Sequence, residues 1–370
     1  MTLLHSLFRP CATGGCALAL ALYWAVPSMA SAAGAAHPVI QPDASINTPG
    51  FTVHYSGYAS PEARAFFPKM LEQGSHAPPL ALALTVSIEP SRAFYGKINE
   101  DRARRMQKIY PVHIFAETIA GVKTDVVLPA QGIGKAQQHR VLINLHGGGF
   151  LWGAHSGGLV ESIPLASLGR IKVVTVDYRE GPEHVFPAAS EDVEAVYRAL
   201  LKQYPAKNIG IYGCSAGGVL TGEAVARIIS KKLPVPGAIG TFCGSVVAFN
   251  GDSSIIAPVL NGEAAPTGAL DLVKVLPYFK GADPGDPLVY PGNSPAILAQ
   301  FPPTLLITGT RDFTMSSELQ SQRLLTAVGV DAELHVWDGM WHSFFSDPEL
   351  PESKEAYAVM VSFFDRHLGH

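Results

Sequence analysis

Short apolar runs alternate with helical stretches from residue 141 to the end of the chain. The apolar runs occupy residues 141–145, 173–176, 209–212, 238–242, 305–307 and 334–336. Apolar residues at helical spacing follow in residues 189–201, 217–229, 317–328 and 355–367. Nearly continuous Val, Ile and Leu runs separated by helices are typical of parallel strands that are buried on both faces. The pattern therefore predicts an α/β fold with a mostly parallel central sheet covered by helices on both faces.

Other patterns precede and interrupt this alternation. Residues 111–116 and 124–128 alternate between polar and apolar positions, which predicts a hairpin of strands. Residues 51–110 show an interrupted helical pattern, which predicts a helical cap. Residues 254–298 are irregular and rich in Pro and Gly, and we expect them to form a second insertion over the site. Together these segments predict a single domain over residues 51–370.

The amino terminus has the layout of a secretory signal. Residues 1–32 contain Arg9 as their only charged side chain, followed by a short apolar stretch and a small-residue cleavage pattern at Ala30 and Ala32. The apolar stretch is shorter than the about 20 residues that span a bilayer, although an uncleaved membrane anchor is the alternative. Residues 33–50 predict a flexible mature terminus. The sequence thus predicts a secreted or periplasmic protein with no stable membrane insertion of the mature chain.

The charge and cysteine content of the chain argue against nucleic acid and zinc as binding partners. The 370 residues carry 27 Lys and Arg against 31 Asp and Glu, a net charge of −4 that gives no basic excess for binding nucleic acid. Cys214 and Cys243, which follow the signal, lie in segments predicted to be buried, where a cysteine usually acts as a small apolar side chain. Their spacing matches no zinc motif. We therefore expect no metal and no organic cofactor.

Residues 213–217 carry the strongest chemical signal, Gly-Cys-Ser-Ala-Gly between a predicted strand and a predicted helix. A Gly-x-Ser-x-Gly sequence in this context is a nucleophile elbow, a tight turn that exposes the serine hydroxyl at the start of a helix. The backbone N–H of Ala216 can then face a developing oxyanion. A chance glycine-rich turn is the alternative. The motif nevertheless predicts that Ser215 is a nucleophile.

A second glycine motif, His-Gly-Gly-Gly-Phe, follows the strand at residues 146–150. Its unshielded backbone N–H groups can converge on one oxygen atom, although a flexible glycine turn would have the same composition. Two such motifs in this order predict a nucleophilic serine with an oxyanion hole.

The serine requires a base and an acid, which follow it in the chain order of the α/β-hydrolase fold. The other late histidines lie inside a predicted strand or at the chain end, so His342 is the predicted base. Asp312 follows a strand end, where sites gather in open α/β sheets, and is the predicted acid. Asp338 is the alternative acid.

These motifs resemble the hormone-sensitive-lipase-like family of α/β-hydrolase carboxylesterases. The resemblance covers about residue 112 to the end and rests on His146-Gly147-Gly148-Gly149-Phe150, Asp177-Tyr178-Arg179, Pro182-Glu183-His184, Phe186-Pro187-Ala188-Ala189, Ser215-Ala216-Gly217-Gly218, and Asp312 followed by His342. It implies a catalytic triad of Ser215, Asp312 and His342, and an oxyanion hole of Gly148, Gly149 and Ala216.

The resemblance also implies an activity. The expected enzyme is a serine carboxylesterase that forms an acyl-enzyme with small-molecule esters of short to medium acyl chains. A hydrolase of lactones, acetylated sugars or amides, a lipase acting at lipid interfaces, and a ligand-binding homologue without catalysis are the alternatives. Homodimers are common in the family.

The chain departs from the family pattern near the site. Cys214 stands where Asp usually precedes the nucleophile, and Glu180 replaces Leu after the Asp-Tyr-Arg motif. Ser343 replaces the glycine after the histidine, and Ser316 replaces an Asp after the acid. None of these departures changes a triad residue. Glu183 is predicted to be a buried structural partner.

Overall fold

The computed structural model describes residues 39–40, 46–48, 50, 52–266, 268 and 270–369. The predicted signal of residues 1–32 lies outside the described residues, as does most of the predicted flexible terminus. The chain has two compact units, Met1–His54 and Tyr55–His370. In the first unit, strands β1 (Val39–Ile40) and β2 (Ile46–Asn47) form a short antiparallel pair.

The second unit contains an eight-stranded sheet with the order β10-β9-β8-β7-β5-β6-β4-β3. Its strands are β3 (Val112–Ile119), β4 (Val122–Pro129), β5 (Val141–Leu145), β6 (Lys172–Val176), β7 (Ile209–Cys214), β8 (Ala238–Phe242), β9 (Thr304–Arg311) and β10 (Ala332–Trp341). All pairings from β6 to β10 are parallel, whereas the hairpin β3–β4 and the β4–β6 pairing are antiparallel. The predicted α/β fold with a mostly parallel sheet is confirmed.

Helices cover the sheet on both faces. They are α1 (Pro61–Ser75), α2 (Leu80–Thr85), α3 (Glu89–Ile109), α4 (Ser156–Gly169), α5 (Ala188–Leu200), α6 (Ala216–Ser230), α7 (Asp252–Leu260), α8 (Leu272–Val275), α9 (Pro295–Leu298), α10 (Met315–Ala327) and α11 (Pro351–His367). One apolar core includes side chains of α5, α6 and α10, and a second core on the other face includes side chains of α1, α3, α4 and α11. Among the described residues, no helix combines the length and the apolar composition that a membrane crossing requires.

Helix α4 is absent from the sequence prediction. It begins with Ser156, Gly157 and Gly158 and is buried along most of its length, so it shows no amphipathic period. A Cβ on Gly158 would lie 2.3 Å from the Thr175 hydroxyl oxygen on β6, so this glycine permits close packing of the helix on the sheet. The result is a helix held directly against the strands that carry the site.

The two segments predicted to lie over the site differ in how well their structure was predicted. Residues 51–110 contain α1, α2 and α3, as the helical pattern indicates. Residues 254–298 were predicted to be irregular, but they contain most of α7 and all of the short helices α8 and α9. Such short helices leave too few residues to show a period in the sequence.

Candidate active site

Ser215 lies in a sharp turn between β7 and α6, with φ of 58° and ψ of −121°. A left-handed φ is unusual for a residue with a side chain and marks a strained position. The flanking glycines are required by close packing, because a Cβ would lie 2.2 Å from the Leu145 carbonyl oxygen at Gly213 and 1.8 Å from it at Gly217. The backbone thus holds the Ser215 hydroxyl at the carboxyl end of the sheet, as the elbow motif predicts.

We expect Gly217→Ala to lower the free energy of unfolding by about 1–3 kcal/mol or more, because the new methyl group meets a backbone oxygen that cannot rotate away. Urea denaturation followed by circular dichroism would measure the change. Gly96→Ala on α3 is the matched control, since a Cβ there meets nothing within 4 Å and should add about 0.5–1 kcal/mol. Equal stability of Gly217→Ala and wild type would contradict the close packing of the elbow.

A chain of hydrogen bonds joins the three predicted triad residues. The Ser215 hydroxyl donates to His342 Nε2 at 2.8 Å, and His342 Nδ1 donates to Asp312 Oδ1 at 2.8 Å. His342 directly follows β10, Asp312 directly follows β9, and the imidazole stacks on the Phe313 ring at 4.5 Å. The structure thus brings the predicted nucleophile, base and acid from three different strand ends to one place.

Asp312 is fully buried and accepts two further hydrogen bonds, from the Thr314 backbone N–H at 2.9 Å and the Thr308 hydroxyl at 3.0 Å. Burial by itself would raise the pKa of Asp312, but the charge and hydrogen bond of His342 and the hydrogen bond of Thr314 outweigh burial and hold this pKa below its usual value. Asp312 is therefore an ionised partner for the imidazole.

The alternative acid, Asp338, has different partners. It accepts hydrogen bonds from the hydroxyls of Ser56 and Thr310, the latter at 2.9 Å. It makes no hydrogen bond to His342 in the described residues. The geometry favours Asp312 over Asp338.

The predicted oxyanion donors lie beside Ser215: Gly148 and Gly149 line one cavity together with it, and Gly149 and Ala216 line another. Gly148 and Gly149 have φ of 120° and 62°, values that favour glycine, and a Cβ on Gly148 would lie 1.7 Å from the Trp152 carbonyl oxygen. Within the described ranges, the backbone N–H groups of Gly148, Gly149 and Ala216 have no protein hydrogen-bond acceptor. Such unpaired donors beside a nucleophile can stabilise a negatively charged oxygen.

Two carboxyl groups flank the oxyanion loop, which we define as residues 146–150. Glu161 of α4 accepts a hydrogen bond from the Gly147 backbone N–H at 3.2 Å, and Glu180 lies 3.9 Å from the buried His146 imidazole. Burial raises the pKa of both carboxyl groups, and the pKa of Glu161 reaches about 8. Glu161 is not among the residues predicted from the sequence, because nothing in its local pattern distinguishes it from a surface glutamate.

One prediction about a charged side chain is wrong, and two departures from the family pattern contact each other. Glu183 was expected to be buried, but its side chain is 48% exposed and pairs with Arg92 at 2.7 Å, so that prediction is wrong about burial. Cys214 and Ser343, two separate departures from the family pattern, contact each other through a hydrogen bond of 2.9 Å. This contact links the elbow to the loop that carries His342.

Cys214 and Cys243 are both buried and free, as expected for small apolar side chains. Burial raises the pKa of both thiols, so neither is activated as a nucleophile. Cys243, Asp312 and His342 bring possible metal-ligand atoms within 4.8 Å of one another. Asp312 and His342 already hydrogen-bond each other, which fits triad chemistry better than metal binding.

Two cavities meet at Ser215. The larger, of about 430 Å³, is lined by His342, by the oxyanion loop, and by polar side chains that include Tyr95, Asn99 and Arg102 of α3. The smaller, of about 180 Å³, is mainly apolar, and its lining includes Leu80, Phe249, Leu270, Leu272, Val275 and Leu276. Both segments predicted to lie over the site therefore contribute to its walls.

The chain is similar in sequence to known α/β hydrolases and esterases. The family of the alpha/beta hydrolase fold matches residues 142–346. An acetyl-hydrolase of Streptomyces hygroscopicus is 28% identical over 285 residues, covering 76% of this chain and 91% of that protein. An esterase of Acinetobacter venetianus is 26% identical, covering 66% of this chain and 79% of that protein.

Solved structures give the same result. Esterase E25 is 29% identical with a TM-score of 0.73, covering 87% of this chain and 98% of that chain. An esterase from the bacterial hormone-sensitive lipase family is 26% identical with a TM-score of 0.71, covering 84% and 99%. The chain belongs to the α/β-hydrolase family, and within it to the hormone-sensitive-lipase-like esterases. It is a carboxylic ester hydrolase.

Proposed function

We propose that the protein is a serine carboxylesterase that hydrolyses short- to medium-chain esters through a triad of Ser215, His342 and Asp312. The observation that carries this proposal is the unbroken hydrogen-bond chain from the Ser215 hydroxyl through His342 to the buried Asp312 carboxyl group. A ligand-binding homologue without catalysis would have no need to keep this arrangement.

In the proposed mechanism, His342 Nε2 takes the proton of Ser215 as the serine oxygen attacks the ester carbonyl carbon. The negative charge that develops on the carbonyl oxygen is stabilised by the N–H groups of Gly148, Gly149 and Ala216. Asp312 keeps the His342 Nδ1 proton in place and stabilises the imidazolium. Collapse of the tetrahedral intermediate breaks the ester C–O bond, and His342 protonates the leaving alcohol. Water then repeats these steps on the acyl-enzyme and releases the acid.

The two cavities suggest which part of the ester lies where. His342 must protonate the leaving alcohol, and His342 lines the larger cavity, so the alcohol part belongs there. The acyl chain then enters the smaller apolar cavity, whose volume is about 180 Å³. This size supports a short acyl chain.

Polar side chains in the lining of the larger cavity favour a second candidate substrate class, short-chain esters of polar alcohols such as acetylated sugars. Tyr95, Asn99 and Arg102 can offer hydrogen bonds to hydroxyl groups there. The similar Streptomyces hygroscopicus protein is named an acetyl-hydrolase, which agrees with a small acyl group. Both candidates use the same triad.

A series of p-nitrophenyl esters from acetate to palmitate tests this proposal. We expect kcat/KM to be highest at acetate to hexanoate and to fall for longer chains, because these exceed the apolar cavity. Glucose pentaacetate, measured by acid release in the same series, tests the second candidate. Folded protein that turns over none of these esters would contradict the proposed activity, and a maximum at palmitate would contradict the assignment of the acyl cavity.

We also propose that the protein is exported and acts outside the cytoplasm, on the basis of the signal-like pattern in residues 1–32. Fractionation of expressing cells and amino-terminal sequencing of the exported protein test this. Cleavage after Ala32 is the expected result, and a cytoplasmic protein of full length would contradict it.

A further inference from the structure

Glu161 connects three parts of the site that come from different segments of the chain. Its Oε1 atom accepts the Gly147 N–H hydrogen bond at 3.2 Å, and its Oε2 atom accepts a hydrogen bond from Asn144 Nδ2 of β5 at 2.9 Å. The Cys214 backbone also lowers the pKa of this carboxyl group, and the Tyr212 hydroxyl on β7 donates to the Glu161 backbone oxygen. Glu161 thus contacts β5, the oxyanion loop and the strand that leads to Ser215.

Gly147 is where the oxyanion loop packs on the nucleophile turn. A Cβ on Gly147 would lie 3.0 Å from the Cys214 carbonyl oxygen and 3.4 Å from Ser215 Cβ. A shift of Gly147 would therefore change the distance between the oxyanion donors that follow it and the Ser215 hydroxyl. The hydrogen bond from Gly147 to Glu161 opposes such a shift.

Glu161 is itself held in place. Asn144 accepts a hydrogen bond from the Thr175 hydroxyl on β6, and the Tyr212 hydroxyl on β7 donates to the Glu161 backbone oxygen at 3.3 Å. Helix α4 also packs closely on the sheet at Gly158. Because both the backbone and the carboxyl group of Glu161 are held by hydrogen bonds, the carboxyl group has little freedom to move and can orient the loop.

We propose that Glu161 is a positioning residue of the esterase, which holds the oxyanion loop against the nucleophile strand through Gly147. The inference rests on the proposed function, because it assigns the loop to transition-state stabilisation. Glu161 acts through Gly147 and is not proposed to touch the reacting atoms.

Ionisation of Glu161 should affect how the activity depends on pH. The titratable or charged side chains that line the same cavity or are coupled to Glu161 are Tyr95, Arg102, Tyr178, Tyr212, Cys214 and His342. Arg102 already pairs with Asp347, and no cation in the described part of the chain lowers the pKa of Glu161, which burial raises to about 8. The carboxyl group is mostly neutral at pH 7. Above pH 8 its negative charge would lie beside the loop that must stabilise an oxyanion, so activity should fall.

Glu161→Gln and Glu161→Leu test the proposal, with kcat and KM for p-nitrophenyl butyrate measured separately from pH 6 to pH 9.5. Gln keeps an acceptor for the Gly147 N–H but cannot ionise. We therefore expect its kcat to be within about 3-fold of the wild-type value at pH 7, and we expect that its kcat does not decrease around pH 8. Leu removes the acceptor, so we expect kcat to fall about 10–100-fold with KM nearly unchanged.

Labelling of Ser215 by a fluorophosphonate gives a second readout that needs no ester turnover. We expect Glu161→Leu to be labelled about 10–100-fold more slowly than wild type, because phosphonylation also places negative charge in the oxyanion hole. If wild type is labelled but hydrolyses no ester, the proposed function fails, and the labelling rates still decide the role of Glu161.

Glu223→Gln is the matched control, because Glu223 is a buried carboxyl group on α6 whose partner is the Ser190 hydroxyl. We expect its kcat, pH profile and labelling rate to equal those of wild type. The proposal is overturned if folded Glu161→Leu has wild-type kcat and labelling rate. It is also overturned if the kcat of Glu161→Gln falls above pH 8 as the kcat of wild type does. The same holds if Glu223→Gln changes this fall in the way that Glu161→Gln does.

Discussion

Replacing Ser215 with alanine is expected to lower kcat for a p-nitrophenyl ester by about 10⁶-fold, the loss typical of removing a nucleophilic serine. The reason is chemical, since the hydroxyl that donates to His342 at 2.8 Å is the group that would form the acyl-enzyme. Turnover by highly purified protein, together with the absence of covalent labelling by a fluorophosphonate, measures the loss. The oxyanion donors stay in place in this variant, so a residual rate above that in water is expected.

Two comparisons sharpen this result. Ser91→Ala changes a buried serine on α3 that does not line the cavities at Ser215, and its activity should equal that of wild type. Adding His342→Ala to Ser215→Ala should cost little more, because residues that act as one unit have strongly non-additive effects. The expected loss would be contradicted if Ser215→Ala retained more than about 1% of the wild-type kcat. That result would mean that another group is the nucleophile.

Asp312→Asn is expected to lower kcat by about 10⁴-fold, the effect typical of this change in a Ser-His-Asp triad. In the proposed mechanism, Asp312 holds the proton on His342 Nδ1 so that Nε2 can accept the Ser215 proton. The amide of Asn can instead donate to Nδ1, which favours the other tautomer and places the ring proton on Nε2. Because the fold around the carboxyl group is retained, we expect the loss in kcat with KM nearly unchanged.

Asp338→Asn is the matched control for this change. Asp338 is the alternative acid that the sequence offers after the nucleophile, but it accepts its hydrogen bonds from Ser56 and Thr310. Its kcat should stay within a few-fold of wild type. A large loss in Asp338→Asn together with a small loss in Asp312→Asn would reverse the assignment of the acid.

The parts of this protein that the sequence determined are those that depend on neighbouring residues. Continuous apolar runs identify the strands that are buried on both faces. The elbow around Ser215 is visible because a strained strand-to-helix turn requires glycine at Gly213 and Gly217, and the oxyanion loop is visible for the same reason at Gly148. His342 and Asp312 could be assigned because a parallel sheet brings strand ends to one edge.

The tertiary structure decided what depends on contacts between distant segments. Helix α4 has no amphipathic period because it is buried nearly all round, so neither it nor Glu161 stands out in the sequence. The contact between Cys214 and Ser343 joins positions that are 129 residues apart, and the exposure of Glu183 depends on where Arg92 of α3 lies. The sizes and polarities of the two cavities likewise depend on side chains from several helices that meet only in the folded chain. The local sequence pattern indicates where the backbone requires glycine and which positions are periodically buried. The shape of the cavities and the contacts that hold the oxyanion loop depend on packing between segments far apart in the sequence.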